Sequence, residues 1–505
     1  MSAALPGLAA LLLGIVTVFG FAPFGASALP MLTLAGLFAL WWRAATPRAA
    51  AALGFAFGVG LFGAGVSWVF VGISTFGHMP AVLAAIGTAG FCAYLALLPA
   101  LAGWVTARLA PPRSGLRLAL AAAAWVLTEW LRGWVLSGFG WLSVGYAQLG
   151  ATLAGYAPVG GVLLVSFGMA AIAALLVHAA LDLEARRAGA VAIAAGTIVA
   201  IGAIGLELAT IEWSRPAGDP VAVSLVQGNI EQELKFDAAY RENTLAMYAD
   251  LAARARGRLI VLPESALPMF ADEVSPDYVA QLRGAALKNG GDLLVGLFFF
   301  EPRPSADEDD RYFNSVVSIG TSTTQVYRKH HLVPFGETIP AKNWGPGWFI
   351  RRILAIPLAD QTPGPAYQEP FAVAGERVAV NICYEDAFGS ELNRRLPEAT
   401  LLVNVTNDAW YGRSLAAEQH EQIAAMRALE TARPMLRATN TGITSIIDHR
   451  GAEIARLPWF TRGVLEGAIA GRTGTTPYVR FGDALAVGTA LLIGALAWVA
   501  ARWPR

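Results

Sequence analysis

The chain has 505 residues, 55% of them hydrophobic and only 15% charged, against about 25% charged in ordinary soluble domains. Its formal net charge is zero, so composition makes no electrostatic case for a nucleic-acid partner. Mean hydropathy is +0.50, and the shortage of charge is uneven: residues 1–208 are nearly uncharged, whereas 209–478 have the composition of an ordinary globular domain.

Seven apolar runs come first, at about 4–23, 28–42, 50–73, 80–107, 116–134, 156–182 and 189–208, and an eighth covers 482–501. Most reach or approach the ~20 residues that cross a bilayer; the second is short at its clear limits and extends into its flanks. The first run has no basic segment before it and further spans follow at once, which argues against a cleaved signal peptide. Arginine sets the expected orientation. Loops after even-numbered runs carry Arg43 and Arg48, then Arg108, Arg113 and Arg117, then Arg186 and Arg187, and the chain ends with Arg502 and Arg505. Loops after runs one and three hold no Lys or Arg, and the stretch after run five holds only Arg132. By the positive-inside rule both termini are cytoplasmic and 209–478 lies on the opposite side, in a bacterium the periplasm. Glu129 and Arg132, three residues apart on one helical face at the outer end of run five, read as a mutual ion pair or as a headgroup contact.

From Val221 the pattern changes to short β-branched runs: Val221–Val226, Leu259–Leu262, Leu293–Phe300, Asn314–Ile319, Thr324–Tyr327, Val378–Cys383, Leu401–Val405 and Gly442–Ile447 read as strands. Helical stretches fall between them at Ala239–Arg256, Pro276–Lys288, Gly389–Arg395 and Ala416–Arg433, the last with Ile423, Met426 and Leu429 at helical spacing. The alternation predicts a layered α/β domain. Ser305–Asp310 is an acidic, exposed loop by composition.

Cys383, in Val-Asn-Ile-Cys-Tyr-Glu-Asp, is the only cysteine of this domain; Cys92 lies within an apolar run. A lone cysteine has no intramolecular disulfide partner in its domain. Most such cysteines are buried and inert, but this one ends a strand and precedes polar residues, where α/β domains place reacting groups. A thiolate is a strong nucleophile once a base removes its proton. Glu264 follows Leu-Ile-Val-Leu-Pro and is either a strand-end charge or a functional acid; partial desolvation would suit it to act as a general base. Lys329 carries more weight. Of the 37 Lys plus Arg only four are Lys, at 235, 288, 329 and 342, so a lysine kept in Val-Tyr-Arg-Lys-His-His suggests a site that needs a compact ammonium, able to stabilise an oxyanion. His330 and His331 are adjacent on a strand and point to opposite faces, and His420 and His449 are isolated, so no metal site is expected.

Leu-Pro-Glu264-Ser, Tyr-Arg-Lys329-His-His-Leu-Val-Pro-Phe-Gly-Glu337 and Ile-Cys383-Tyr-Glu385 resemble the Glu-Lys-Cys triad of the nitrilase (carbon-nitrogen hydrolase) superfamily. With eight spans around such a domain, the whole chain resembles the apolipoprotein N-acyltransferases. Glu129-Trp-Leu-Arg-Gly-Trp134, Val226-Gln-Gly-Asn-Ile230, Tyr312-Phe-Asn-Ser315, Asn407-Asp-Ala-Trp-Tyr-Gly412 and Arg437-Ala-Thr-Asn-Thr-Gly-Ile443 belong to the same likeness. The resemblance implies a polytopic α-helical membrane domain of about eight spans (1–208), an α/β nitrilase-like αββα sandwich on the periplasmic side (209–478), and a last span with a cytoplasmic C-terminus (479–505). It implies Cys383 as nucleophile, Glu264 as general base and Lys329 as oxyanion stabiliser. Glu337, Glu385, Tyr384 and Asn314 would be supporting residues. Phe236, Trp344, Trp348, Phe349, Trp410 and Tyr411 would face lipid. Phe236 departs from the tryptophan expected after Leu234-Lys235, which removes an indole N–H donor. The implied reaction moves an acyl chain from a phospholipid, through a Cys383 thioester, to the α-amine of a diacylglyceryl-cysteine on an apolipoprotein. No cofactor is implied, and the enzyme would work as a monomer in the bacterial inner membrane.

The stretch Asn343–Pro357, with Trp344, Trp348, Phe349, Ile350, Arg351 and Arg352, reads either as an arm dipping into the membrane interface or as a buried loop. Two other functions compete: a membrane-anchored amidase acting on a small amide, for which one anchor would suffice, and a transporter or receptor, which would need polar or broken spans along a path.

Overall fold

The computed structural model describes residues 4–303, 310–338 and 360–502. The first part is helical: α1 (Ala4–Thr17), α2 (Leu29–Arg43), α3 (Pro47–Gly65), α4 (Ala81–Leu109), α5 (Gly115–Arg132), α6 (Ala157–Glu184) and α7 (Ala188–Thr210). Among the described residues five helices are long and apolar enough to cross a membrane: α3, α4, α6 with the turn before it, α7, and the last helix, Ala484–Arg502. α1 and α2 are apolar but shorter, and α5 carries Arg117, Glu129 and Arg132 within 18 residues, so length and composition alone do not reach eight.

Small residues let these helices approach closely, as bilayer packing requires where no hydrophobic effect drives association. A Cβ on Gly14 or Gly60 would run into the backbone of the facing helix, α3 or α1, and one on Gly54 would strike Pro99 of α4. At the arginine-bearing end, Arg117 is 1% exposed and donates to four carbonyls: Trp41 (3.0 Å) and Ala44 (2.7 Å) at the end of α2, Ala107 (3.3 Å) and Ala110 (2.9 and 3.1 Å) at the end of α4. One guanidinium thus satisfies orphan C=O groups of two helix ends. Arg117→Met is expected to destabilise the full-length protein by at least about 3 kcal/mol, read as a lower denaturation midpoint in detergent.

The second part is a sandwich of two six-stranded sheets. The first sheet contains β1 (Val221–Gln227), β2 (Leu259–Val261), β3 (Asp292–Glu301), β4 (Arg311–Gly320) and β5 (Val326–Arg328). The second contains β6 (Phe371–Val373), β7 (Glu376–Ile382), β8 (Leu401–Thr406), β9 (Met435–Thr439), β10 (Ser445–Ile447) and β11 (Glu453–Arg456). β12 (Gly463–Ile469) returns to the first sheet, giving the orders β12-β1-β2-β3-β4-β5 and β11-β10-β9-β8-β7-β6. In each sheet three central strands are parallel, β1-β2-β3 and β7-β8-β9, and the flanking pairs are antiparallel. Apolar residues such as Val223, Leu225, Val380 and Val403 fill the space between the sheets. The helices Arg241–Arg254 and Pro276–Lys288 cover the outside of the first sheet. The second starts by ordinary rules: Ser275 caps it with its hydroxyl, and Pro276 stands at its first position.

The outer helix of the second sheet, Ala416–Thr431, is buried on nearly all sides. Its apolar side packs on the sheet, where Ala424, Ala425 and Ala428 meet Leu402 and Met435. Its polar side binds the membrane domain. Gln419 accepts from Trp68 Nε1 (3.1 Å) and donates to the Gly65 carbonyl (3.1 Å). Gln422 donates to the Tyr146 carbonyl (3.0 Å) and accepts from Ala22 N (3.2 Å). Glu430 accepts from Val162 N at 2.7 Å, where α6 is broken at Gly160–Gly161, so a carboxylate of the sandwich caps a helix of the first part. Glu129 and Arg132 are both buried, but they form no mutual ion pair within 4 Å. Glu129 accepts from Trp125 Nε1 (3.1 Å) and Val144 N (2.9 Å), and Arg132 donates to Ser143 Oγ (2.8 Å). Both brace the loop 138–144, which faces the sandwich. The stretch 343–357, with Trp344, Trp348 and Phe349, and most of the acidic loop 305–310 lie outside the described residues.

Candidate active site

Parallel strands direct their carboxyl ends to one edge, and loops there can converge on a ligand. The edge formed by β1, β2, β7, β8 and β9 carries Lys235, Glu264, Cys383, Asp408 and Asn440 in the segments that follow. Glu264 comes three residues after β2, Lys329 directly after β5 and Cys383 directly after β7. All three are buried, at 6%, 1% and 8% exposure.

Cys383 occupies a sharp strand-to-turn junction. Its φ is 53°, in the left-handed region, and the turn Cys383–Ala387 starts on it. Such a backbone costs about 1–2 kcal/mol for a residue with a Cβ and persists only where its surroundings hold it. Asn404 Nδ2 donates to the Cys383 carbonyl at 3.1 Å. Ser265, beside Glu264, has a comparable φ of 44°.

Lys329 lies between two carboxylates, 2.7 Å from Glu337 Oε1 and 3.5 Å from Glu264 Oε1. Asn314 Nδ2, on β4, donates to the same oxygens at 3.3 and 2.7 Å. Glu337 is itself held by Val333 N, which donates to Oε2 at 2.9 Å. Burial works to lower the lysine pKa, but Glu337 and Glu264 outweigh it and hold the ammonium well above its ordinary value. Lys329 is therefore a permanent cation and not a base. Glu264 Oε1 is the oxygen that accepts from Asn314 and faces Lys329. Burial raises the Cys383 thiol well above its ordinary value; Glu264 adds to this and Lys329 opposes it. The resting group is a neutral thiol close enough to both partners for their charges to act on it.

Glu385 links the two halves of the site. Its carboxylate accepts from Ile382 N (2.7 Å), His330 N (2.7 Å), His331 N (3.1 Å) and Tyr327 Oη (2.9 Å), which ties the Lys329 segment to the nucleophile turn. Glu385→Ala is expected to cost about 3–5 kcal/mol of stability and most of the activity, because four donors, two buried and two half-buried, lose their acceptor; thermal unfolding with a turnover assay checks it. Tyr384 points to the membrane domain, where its hydroxyl donates to the Gly138 carbonyl at 2.8 Å and its ring stacks on Trp141.

The aromatic residues expected to face lipid are divided. Phe236 is 40% exposed at the rim, against Phe298. Trp410 meets Phe76, and Tyr411 meets Trp68, so both pack on the segment after α3. His330 and His331 turn away: His330 Nδ1 lies 2.8 Å from the Gly364 carbonyl, and His331 pairs with Glu391 and stacks on Phe388.

Two groups were not anticipated from the sequence as parts of the site. Lys235, 1% exposed, donates to the Glu264 carbonyl at 3.0 Å, and burial lowers its ammonium to about 8. Its rarity among the basic residues and its place beside Phe236 were the available signals. His420, with Asp386, Asp408 and Arg437, forms a buried cluster behind Cys383 that nothing local in the sequence announces.

An αββα sandwich with a buried Glu, Lys and Cys at its strand ends defines the class of carbon-nitrogen hydrolases, and the family model of that description, "Carbon-nitrogen hydrolase", matches residues 222–478. The model "Apolipoprotein N-acyltransferase N-terminal domain" matches residues 13–175. The chain is 48% identical to the apolipoprotein N-acyltransferase of Nitrosomonas europaea, covering 97% of each chain. It is 45% identical to that of Methylococcus capsulatus, over 94% of this chain and 92% of the relative, and 43% identical to that of Ralstonia nicotianae, over 96% and 91%. The chain belongs to the apolipoprotein N-acyltransferase family.

Proposed function

We propose that this protein takes an acyl chain from a membrane phospholipid, carries it as a thioester on Cys383, and transfers it to the α-amine of the N-terminal diacylglyceryl-cysteine of an apolipoprotein. The observation that carries the reading is the convergence of the buried Cys383 and Glu264 with a buried Lys329 paired to two carboxylates, on a domain hydrogen-bonded to apolar helices. Relatives named for this activity support it over nearly the full chain.

In the first half-reaction Glu264 takes the thiol proton as sulfur attacks the ester carbonyl. Lys329, with a backbone N–H beside Cys383, stabilises the tetrahedral oxyanion. The tetrahedral intermediate collapses to the thioester, and the lysophospholipid alkoxide leaves with the proton held by Glu264. In the second half the acceptor amine attacks the thioester, Glu264 takes the amine proton, and the thiolate leaves and is reprotonated. Burial of the site protects the thioester from water between halves. Glu337 and Asn314 fix Lys329 and Glu264, and Glu385 fixes the two loops relative to each other. Phe236, Trp410 and Tyr411 supply apolar surface for the lipid.

We place the membrane part at 1–208, the catalytic part at 209–478 and the final span at 479–505, with eight crossings of the bacterial inner membrane, a periplasmic catalytic domain, cytoplasmic termini and a monomeric enzyme. The arginine-bearing turns support the orientation. The ends of α2 and α4 meet at Arg117, and the end of the last helix packs beside them through Ala497 and Ala501, away from the helix Ala416–Thr431. The test is to supply the purified full-length protein in liposomes with a diacylglyceryl lipopeptide and analyse the products by mass spectrometry. An N-acylated peptide with an equivalent of lysophospholipid is expected; free fatty acid with unmodified peptide would favour hydrolysis.

A further inference from the structure

The buried cluster behind Cys383 has no part in the chemistry described so far. The ring of His420, on the helix Ala416–Thr431, is wedged between two carboxylates, with Nδ1 2.8 Å from Asp408 Oδ1 and Nε2 3.0 Å from Asp386 Oδ1. Ionised carboxylates only accept, so both ring nitrogens carry protons and the ring is an imidazolium. Arg437, on β9, closes the cluster by donating to Asp386 Oδ2 (3.1 Å), Asp408 Oδ2 (3.0 Å) and Asn404 Oδ1 (2.7 Å). Two cations balance two anions, and none of the four is more than 3% exposed. Burial and Arg437 work to lower the His420 pKa; Asp386 and Asp408 outweigh them and hold it at about 9.

The cluster ends on the nucleophile. His420 Nε2 lies 3.3 Å from the Cys383 carbonyl, the same oxygen that accepts from Asn404. That carbonyl belongs to the residue with the left-handed backbone. The charged or titratable groups facing His420 are Asp408 after β8, Asp386 and Cys383 after β7, and Arg437 on β9. From the membrane domain the uncharged Trp141 ring packs at 5.2 Å. We propose that His420 is a positioning residue for acyl transfer: an imidazolium that, bracketed by Asp386 and Asp408, holds the Cys383 carbonyl in place and cancels the negative charge behind the thiol. The inference rests on Cys383 being the nucleophile.

The test uses His420→Gln in the full-length protein in lipid nanodiscs. Turnover is expected to fall about 100-fold, as misplacement of a reacting group does, while KM for phospholipid stays within about twofold. With one cation gone, alkylation of Cys383 by iodoacetamide, followed on its own peptide, should shift its pH midpoint upward by about one unit, a change that mere loosening of the fold would not produce. Stability should respond as well. A folded-state pKa of about 9 above an ordinary 6.5 gives the wild type a stabilisation present below about pH 6.5 and lost as pH rises through about 9, and the variant should lack that slope. A folded variant with wild-type turnover and alkylation profile overturns the inference. If Cys383→Ala is inactive beside it, the inference alone fails; an active Cys383→Ala defeats the reading beneath it. If His420→Gln does not fold, nitrogen NMR of wild-type protein labelled in histidine decides: one ring protonated on both nitrogens at pH 8 is expected, and none would overturn the proposal.

Discussion

Cys383→Ala is expected to leave the protein folded and inserted while acyl transfer falls by at least about 10⁴-fold. The reasoning is local. The thiol is neutral at rest because burial, and then Glu264, disfavour its charged form, so deprotonation happens together with attack. Among the described residues the neighbouring groups cannot replace it: Lys329 remains an ammonium, Glu264 is the proposed base, and Lys235 is engaged with the Glu264 carbonyl. Cys383→Ala removes a single heavy atom, and the alanine occupies the same left-handed backbone at similar cost. The unfolding midpoint should therefore stay within a few degrees of wild type, read by thermal denaturation beside a lipopeptide acylation assay. Activity within tenfold of wild type would exclude a covalent role for Cys383.

Lys329→Met should produce the second large effect, and a double one. The ammonium sits 2.7 Å from Glu337 and 3.5 Å from Glu264, and its removal leaves the buried Glu264 and the half-buried Glu337 facing each other without a cation. Breaking a buried charge set by removing one partner costs about 3–5 kcal/mol. Loss of the oxyanion donor should lower turnover by a further factor of about 10²–10³. The double variant Lys329→Met/Glu337→Gln separates the two effects. Neutralising Glu337 should restore much of the stability and none of the activity. Recovery of activity along with stability would mean that Lys329 only supports the fold. Lys329→Arg should also fail, since a planar fork cannot occupy the space of a compact ammonium held by Glu337, Glu264 and Asn314.

The three residues proposed to react stood out because Glu264 and Cys383 end apolar runs and Lys329 is a rare lysine that closes a short strand-like stretch. Glu264, Lys329 and Cys383 follow strands β2, β5 and β7 within three residues, and the strand signal was strong there. β9 was missed for the opposite reason. Met435-Leu-Arg-Ala-Thr puts a charge in the middle of a central strand, and Arg437 is tolerated only because Asp386, Asp408 and Asn404 reach it from far along the chain. β12 was missed as well: Gly463-Val-Leu-Glu-Gly-Ala-Ile has two glycines and a glutamate, and it gains its order from β1. His420 looked isolated because its partners are 12 and 34 residues away. The spacing of Ile423, Met426 and Leu429 revealed one face of a helix, but not that Gln419, Gln422 and Glu430 on the other face would bond to membrane helices. Local pattern thus marked the residues that the fold brings to one edge, whereas the long-range ionic and interdomain contacts around them became visible only in the fold.

The most direct test of the thioester account is intact-mass spectrometry of the full-length protein after exposure to phospholipid, for wild type and Cys383→Ala. Wild type should gain the mass of one acyl chain, labile to hydroxylamine and discharged by a diacylglyceryl lipopeptide, and the variant should gain nothing. A folded wild-type protein with a reduced thiol and no adduct, or an adduct that persists in Cys383→Ala, would contradict it.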